Sequence, residues 1–526
     1  MAEFIENHKA FLTPLSPIHI GCGEDFEPTD YVIRENVLYG FDPASVPLTS
    51  RERGELASCA LKRTLQGWAR FFKRHEASFY AFASTAVPVC GRVARNYKRM
   101  IETTDQRNYK RMIETTDQRN DNVIQRSAYV KTMEGDLVYF PGSSLKGAFH
   151  TALLDKLKPR APETLRRAKS HLDRAIFRGE FASSPMRLLK IGDFMPIAPA
   201  SPIQTRICDV SRVYKNSGTE NGKEIPSVFE TVNPGQYRAA QSEIAVLTQK
   251  IGSESDQPIS EFDLAEAVKA LHAYNLRKFS DGQRCWGSWT GAAEWARSVQ
   301  TLLRGLAPKI AAGKVALIHI GKNQGADCLT LRDGVAQIYN RQKKVYQESA
   351  ATVWQCQSGG TVYPFGWAIL EIDAEADEPS IKKWCDSFGR PEFDYAGNRR
   401  NRMEKQKQIL EQIEKERLAA AAQEEAERQE KEAEARQQEK LLSLSENQRA
   451  AEELTARMEA VSVIKPVDPL FREVLEFLRM ACEWPLEDQK FCAERPGPLL
   501  KRKGMYVGKH EKELKTLLRR LRQEVK

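Results

Sequence analysis

A chain of 526 residues with 80 Lys and Arg against 71 Asp and Glu carries a formal net charge of +9. That length allows about two to four domains with sizeable cores, and the dilute excess permits a polyanionic partner without naming one. No apolar run reaches the roughly 18 residues that a spanning helix needs, and the opening MAEFIENHKAFL has no apolar signal core. The ten cysteines are scattered with no CxxC, and the eight histidines show no HExxH or HxH. Membrane-spanning, disulfide-stapled and zinc-ribbon classes are thereby excluded. The chain reads as cytoplasmic, with reduced thiols, no membrane partner, and neither metal nor other cofactor.

The first informative stretch runs Leu12-Thr-Pro-Leu-Ser-Pro-Ile-His-Ile-Gly-Cys-Gly-Glu-Asp25. A short β segment leads into Gly21 and Gly23, where glycine lets the backbone turn tightly and approach a ligand. It is not a dinucleotide fingerprint, because Phe26 stands where the third glycine would be. The segment from Thr29 to Phe41 predicts a hairpin turning at Glu35-Asn36. Further on, NYKRMIETTDQR at 96–107 recurs letter for letter at 108–119. Two copies are too few for a solenoid, so this polar, basic tandem reads as an exposed loop or helical insertion.

The stretch Val138-Tyr-Phe-Pro-Gly-Ser-Ser-Leu-Lys-Gly-Ala-Phe-His150 follows. An apolar strand ends at Pro141-Gly142, Ser143 and Ser144 are good N-caps, and an Ala/Leu helix begins at Lys146. Free N–H groups, two hydroxyls and Lys146 at a helix start make an anion site; a capped helix with no ligand is the alternative. The P-loop spacing is absent. Leu317-Ile-His-Ile-Gly321-Lys-Asn-Gln-Gly325 again sets glycines after an apolar strand and echoes Ile18-His-Ile-Gly21-Cys-Gly23. Two such units point to a duplicated or pseudo-symmetric fold. Pro364-Phe-Gly-Trp-Ala-Ile-Leu-Glu-Ile372 closes the globular part with a turn and a strand.

From 398 to 462 the composition changes. EKQKQILEQIEKERLAAAAQEEAERQEKEAEARQQEK holds no Gly, Pro or aromatic, and its Glu and Lys/Arg recur three and four apart. A poor apolar seam leaves a lone charged helix and a coiled coil both open. This run accounts for the mean hydropathy of −0.53. Pro466 and Pro469 break it, and FREVLEFLRMACEW and EKELKTLLRRLRQEV predict two amphipathic helices. Lys501 to Lys526 carry ten Lys/Arg against three Glu. Most of the chain's excess charge thus sits in a small basic tail, either a solvated helix face or a nucleic-acid contact.

Together, TPLSPIHIGCGEDFEPTDYVI and YFPGSSLKGAFHTAL resemble the RAMP superfamily of CRISPR effector proteins, and within it the fifth, capping subunit of the type III-A (Csm) interference complex. PGSSLKGA is the most specific part; His150 stands where the pattern has Arg, which weakens the phosphate contact implied there. PFGW also matches, and the 321–325 loop does so more loosely. The resemblance covers about residues 10–375 and leaves out the charged helix and basic tail.

The resemblance implies an α/β (α+β) fold of tandem ferredoxin-like or RRM-like RAMP domains. The boundaries expected are 1–200, with an insertion around 85–125, and 201–396, followed by a long helix or coiled coil over 397–462 and a small basic helical domain over 463–526. It implies a subunit that caps the backbone filament, grips the 3′ part of the guide RNA (crRNA), contacts neighbouring RAMP subunits and meets target RNA indirectly. RNA held by backbone amides and Lys/Arg needs no sequence readout. Gly21, Gly23, Gly142, Ser143, Ser144, Lys146 and Gly147 are expected to line that groove, with Gly321, Lys322 and Gly325 of the later loop. Arg34, Arg187 and Lys190 are weaker candidates. Related backbone subunits cut RNA with an Asp after the first glycines, and Asp30 falls at that place; the capping subunit is not expected to be an enzyme. The alternative is a RAMP-family endoribonuclease, processing guide or cleaving target RNA through Asp30 or His19. A lone Asp beside a strand reads more simply as a turn residue, and His19 as an ordinary strand position.

Overall fold

The computed structural model describes residues 4–27, 29–62, 65–102, 124–132, 135–158, 169–177, 184–198, 201–215, 227–248, 262–332, 338–340, 344–347, 349–388 and 393–522. Its contacts divide the chain into two units, Met1–Ile409 and Leu410–Lys526. The first mixes helix and strand; the described residues of the second are helical. Among the described residues no helix is long and apolar enough to cross a membrane.

In the first unit, WAILEI forms the strand Trp367–Ile372, buried at every position. A run without alternation, apolar but for Glu371, is what a strand covered on both faces requires. It pairs antiparallel with Ile5–Pro14 on one side, Leu12 opposite Leu370, and with Val315–His319 on the other, Leu317 opposite Ile369. Ala240–Leu247 continues the sheet beyond Ile5–Pro14, and both Met195–Pro196 and Leu189–Ile191 pair with Ala240–Leu247. Strand alternation sorts the side chains into two cores. Ala316, Ile318, Ala368 and Leu370 join Leu145 and Phe149 of helix Gly142–Leu157 and Val268 and Leu271 of helix Leu264–Trp286. Val315, Leu317, Trp367 and Ile369 join Val299 and Leu302 of helix Ala292–Gly305 and Ile381 and Trp384 of helix Pro379–Asp386. Each fully buried Leu or Ile contributes about 1.5–3 kcal/mol.

A second sheet runs Thr361–Pro364, Thr352–Ser358, Thr205–Tyr214, Ser227–Val232, Ile124–Ser127, Gly21–Phe26. Ser227–Val232 and Ile124–Ser127 pair parallel; the other pairs are antiparallel. Gly21 and Gly23, read as a loop after a strand, therefore lie in an edge strand. Register slips between Gly21 and Asp25, and Gly23 sits at φ +85°. That irregularity is open to glycine. The hairpin at Glu35-Asn36 is present: Arg34 lies opposite Val37, and Glu35 and Asn36 have φ 52° and 60°. Both values suit a two-residue turn whose twist matches its strands.

Strand pairing crosses the division expected at 200/201. Ile5–Pro14 sits inside a sheet otherwise built from residues 189–372, and Gly21–Phe26 and Ile124–Ser127 extend a sheet built from 205–364. The strands therefore do not part into one set for 1–200 and another for 201–396; long-range pairing, which no local pattern announces, interleaves them. Two elements are described within the insertion expected around 85–125. Thr85–Pro88 is a strand paired with Val37–Gly40, and Gly91–Glu102 is a helix. Residues 96–102 of the tandem repeat end that helix, and the remainder of the repeat lies outside the described residues.

The charged run forms the helix Tyr395–Ser443. From Leu410 onward each of its described side chains is exposed. Pairs such as Arg417–Glu414 and Arg428–Glu432 support it along its own surface. It stops at Ser443 rather than 462, because Ser445 and Gln448 form a capping box: Ser445 Oγ accepts the Gln448 N–H at 3.1 Å and Gln448 Oε1 accepts the Ser445 N–H at 3.3 Å. The Ser-x-x-Gln signal was in the sequence; the weight of helix-forming residues masked it. The new helix Glu446–Glu459 packs with Pro469–Ala481, Leu486–Glu494, Pro496–Arg502 and Lys509–Arg522 around Leu454, Phe471, Leu478, Leu500 and Leu518. The terminal helical body thus begins at 446, not 463.

Candidate functional site

The echo between Ile18–Gly21 and Ile318–Gly321 is realised in space. Ile5–Pro14 and Val315–His319 flank Trp367–Ile372, each antiparallel to it, so both run the same way and deliver their glycines to one end. There the two loops are stitched together. The Lys322 N–H donates to His19 O at 2.7 Å, the Gly366 N–H to Pro17 O at 2.9 Å, and the Ile320 N–H to Gly366 O at 2.8 Å. Gly321 has φ +95°, and a Cβ on it would stand 2.6 Å from His19 O. Only glycine permits that approach.

Above this seam lies a cleft of about 640 Å³. Gly21, Gly23, Gly321 and Lys322 line one side; Ser144, Gly147, His150 and Thr151 of helix Gly142–Leu157 line another. Ser144, Gly147 and Thr151 are three and four residues apart, hence on one helix face. A Cβ at Gly147 would meet nothing within 4 Å. Gly147→Ala should therefore raise stability by about 1 kcal/mol, read as a higher melting temperature; a fall would mean the helix needs glycine there. Among the described residues that line the cleft, Lys322 is the one Lys or Arg, and its Nζ donates to Gln125 Oε1 at 2.5 Å. Polar contact in the cleft thus comes mainly from backbone, hydroxyl and amide groups.

Four expected lining residues stand elsewhere. Gly142 is a packing glycine: its Cβ would fall 2.3 Å from Ile191 O and 2.5 Å from Gly192 O. Its N–H donates to Asp193 Oδ1 at 2.8 Å, so a carboxylate of the protein already occupies the helix start. Pro141, not Ser143 or Ser144, is the N-cap; Ser144 falls within the first turn, and Ser143 does not line the cleft. Lys146 donates to Leu189 O at 2.9 Å, and burial, then neighbouring Lys190, lowers its pKa. It is a tether between helix and strand rather than an anion clamp. Lys146→Ala should accordingly leave the salt dependence of RNA binding unchanged; a shallower slope would return it to the site. Gly325, at φ +86°, opens the turn Ala326–Leu329 beside the cleft without lining it.

Asp30 is a turn residue outside the cleft. Its carboxylate accepts Thr29 Oγ1–H at 2.7 Å and the Glu27 N–H at 3.3 Å, and burial raises its pKa. Among the described residues no group of His, Cys, Asp and Glu is arranged to hold a metal. Arg34 pairs with Glu35, Arg187 is half-buried on the turn Pro185–Leu188, and Lys190 is exposed on Leu189–Ile191; none lines the cleft. His150, at the pattern's Arg position, faces Asp173 at 2.6 Å.

His19 lies under the seam, fully buried, with Nδ1 donating to Glu230 O at 2.7 Å. Burial lowers its pKa to about 4. His319, its counterpart in the echo, donates through Nε2 to Phe365 O at 2.8 Å and stacks on Trp367 at 4.1 Å; burial takes it to about 4 as well. Both rings are neutral fixtures at pH 7. Tyr274 and Asn275 of helix Leu264–Trp286 line the cleft without having been singled out. The Tyr274 hydroxyl donates to Cys328 O and Thr330 O, pinning the turn that closes one wall. Their helix reads as ordinary amphipathic sequence, and no local signal marks the two.

A mixed α/β protein with an open, cation-poor cleft floored by glycine loops is what this geometry defines. No protein-family model and no curated protein matches the chain. Among solved structures, a chain of a Csm–crRNA–target RNA ternary complex of a type III-A CRISPR–Cas system aligns with 70% of this chain and 100% of its own length, at 16% identity and a TM-score of 0.36. The Csm5 protein of T. onnurineus aligns with 69% of this chain and 99% of its own length, at 16% identity and a TM-score of 0.34.

Proposed function

We propose that this chain is the capping, RNA-binding subunit of a type III-A CRISPR interference complex, holding the 3′ part of a guide RNA across the cleft. One observation carries the reading: Gly21, Gly23, Ser144, Gly147, Gly321 and Lys322, drawn from three distant stretches that the RAMP resemblance singles out, line one cleft. Bare backbone and hydroxyls, with a single lysine among the described lining residues, suit a strand gripped without base readout. Within the first sheet we assign one ferredoxin-like unit: strand 5–14, helix 142–157, strands 189–196 and 240–247, helix 264–286 and strand 367–372, in spatial order 2-3-1-4, with Val315–His319 added at the edge. The partners are the guide RNA and neighbouring RAMP subunits, with target RNA met indirectly and the cytoplasm as the site of action. The role is structural rather than catalytic, supported by Asp30 being held in a turn away from the cleft and His19 being buried.

The test is guide-RNA binding by the full chain. Gly147→Glu puts bulk and negative charge into the cleft at a helix position that favours the new residue. It should weaken guide binding at least about tenfold with no loss of melting temperature. Unchanged affinity removes the cleft as the site. Incubation with labelled guide precursor, with and without Mg²⁺, should leave the RNA intact. Cleavage that Asp30→Ala or His19→Ala abolishes would replace this reading with the endoribonuclease.

A further inference from the structure

We propose that the exposed face of the helix Lys509–Arg522, in the second unit, is a sequence-independent docking surface for the phosphodiester backbone of a nucleic acid. Leu514, Leu517, Leu518 and Leu521 turn into the core of the helical body. That register fixes what stays outside. The exposed residues are Lys509, Lys512, Lys515, Arg519, Arg520 and Arg522, interrupted only by Thr516. Lys512, Lys515, Arg519 and Arg522 lie three and four apart, a stripe roughly 15 Å long.

Charge is sorted within this body. Residues 496–522 hold nine Lys/Arg against two Glu, a net of +7, whereas residues 446–495 hold seven Lys/Arg against eleven Asp/Glu, a net of −4. The ion pairs follow the same division. Arg457–Glu473 and Arg495–Glu452 close between the other helices. The two carboxylates at the edges of the stripe are both engaged, Glu511 with Lys515 at 2.7 Å and Glu513 with Arg479 of the neighbouring helix. Among the described residues, Lys509, Lys512, Arg519, Arg520 and Arg522 form no ion pair.

Three kinds of surface would welcome positive charge, and the composition of this one selects among them. A protein partner would find no apolar anchor on it, and lysine is depleted from interface cores. An interfacial membrane helix turns its apolar face outward, whereas these leucines are buried inward. A row of phosphates asks for cations alone, and the fully exposed residues of this helix include no Asn, Gln or aromatic side chain with which to read a base. The surface lies in the other unit from the cleft and does not rest on the cleft reading.

In the test, the full chain is titrated into a labelled single-stranded RNA of about 30 nucleotides unrelated to any guide, and into duplex DNA of the same length, over a salt series. K512Q/R519Q/R520Q/R522Q should bind at least about tenfold more weakly near 100 mM salt and show a salt slope smaller by about two to three. Weakening on either probe supports the proposal, and the probe affected identifies the strand form. K512R/R519K/R520K/R522K keeps the charge and should stay within about twofold of the parent chain. Unchanged affinity and slope in the Gln variant would overturn the proposal. So would equal loss in the charge-keeping variant at an unchanged melting temperature, since binding would then depend on side-chain shape and not on charge.

Discussion

Lowering the pH from about 6.5 toward 4 should unfold the first unit, with an uptake approaching three protons on unfolding. His19, His272 and His319 are each held neutral, burial lowering all three to about 4 against 6.5 in an open chain. Each has a structural reason to stay neutral. His272 Nδ1 accepts the Leu317 N–H at 3.2 Å, so a proton added there would oppose that N–H. His19 presents a buried, unpartnered Nε2, and the nearby Lys278 charge opposes a proton on His319. The folded values lie below the unfolded ones, so the unfolded chain binds more protons between the two. Stability is therefore complete above about pH 6.5 and falls as the pH drops through the window. Each histidine accounts for roughly 3 kcal/mol near pH 4, and three together match the whole stability of a typical domain. Glu230, whose pKa burial raises, works in the opposite direction and offsets part of the loss. Melting temperature measured from pH 7.5 to 4.5 should fall steeply below about 6.5. His272→Gln should reduce the pH slope of stability by about one proton. A flat profile between pH 7 and 5 would contradict this.

The second large effect is expected at Glu371, on the strand that flanks both glycine loops. Its carboxylate is buried and accepts Arg238 Nη2–H at 2.8 Å and Nε–H at 3.1 Å. Arg238 Nη2 also donates to Ala376 O at 2.7 Å, and the guanidinium lies 4.5 Å from the Phe11 ring centre. Glu371→Leu would leave a buried guanidinium with only the exposed Asp377 carboxylate, 3.9 Å away, as counter-charge. The expected cost is about 3–5 kcal/mol, read as a lowered denaturant midpoint. Glu371→Leu combined with Arg238→Met removes both charges and should recover most of that loss. If the double variant is no better than the single, the pair does more than neutralise itself. Because Trp367–Ile372 sets the spacing of the two loops, the single variant should also weaken cleft-dependent RNA binding at temperatures where it remains folded.

What the sequence made legible was short-range. The Glu35-Asn36 hairpin, the terminal amphipathic helices and the glycine-bearing stretches were all readable from neighbouring residues. The recurrence of Ile-His-Ile-Gly announced a paired arrangement, and the two copies do meet. What was not legible depended on phase or on distant contact. Helical phase puts Ser144, Gly147 and Thr151 on the cleft face and turns Lys146 about 100° away from Gly147, toward Leu189. A motif read as a string gives all of its members equal standing; a helix does not. Gly142 looked like a ligand glycine because a local reading could not see Ile191 and Gly192 pressing against it. Tyr274 and Asn275 reach the cleft only because their helix packs on a sheet assembled from residues more than two hundred positions apart, as Ile5–Pro14 with Ala240–Leu247 shows.

The central claim, that the cleft holds RNA, is tested most directly by photo-crosslinking the full chain to a guide RNA carrying 4-thiouridine through its 3′ part, with the attached peptides mapped by mass spectrometry. Crosslinks should fall within residues 18–24, 144–151 and 319–329. Efficient crosslinking confined to other peptides, with these three segments unlabelled, would contradict it.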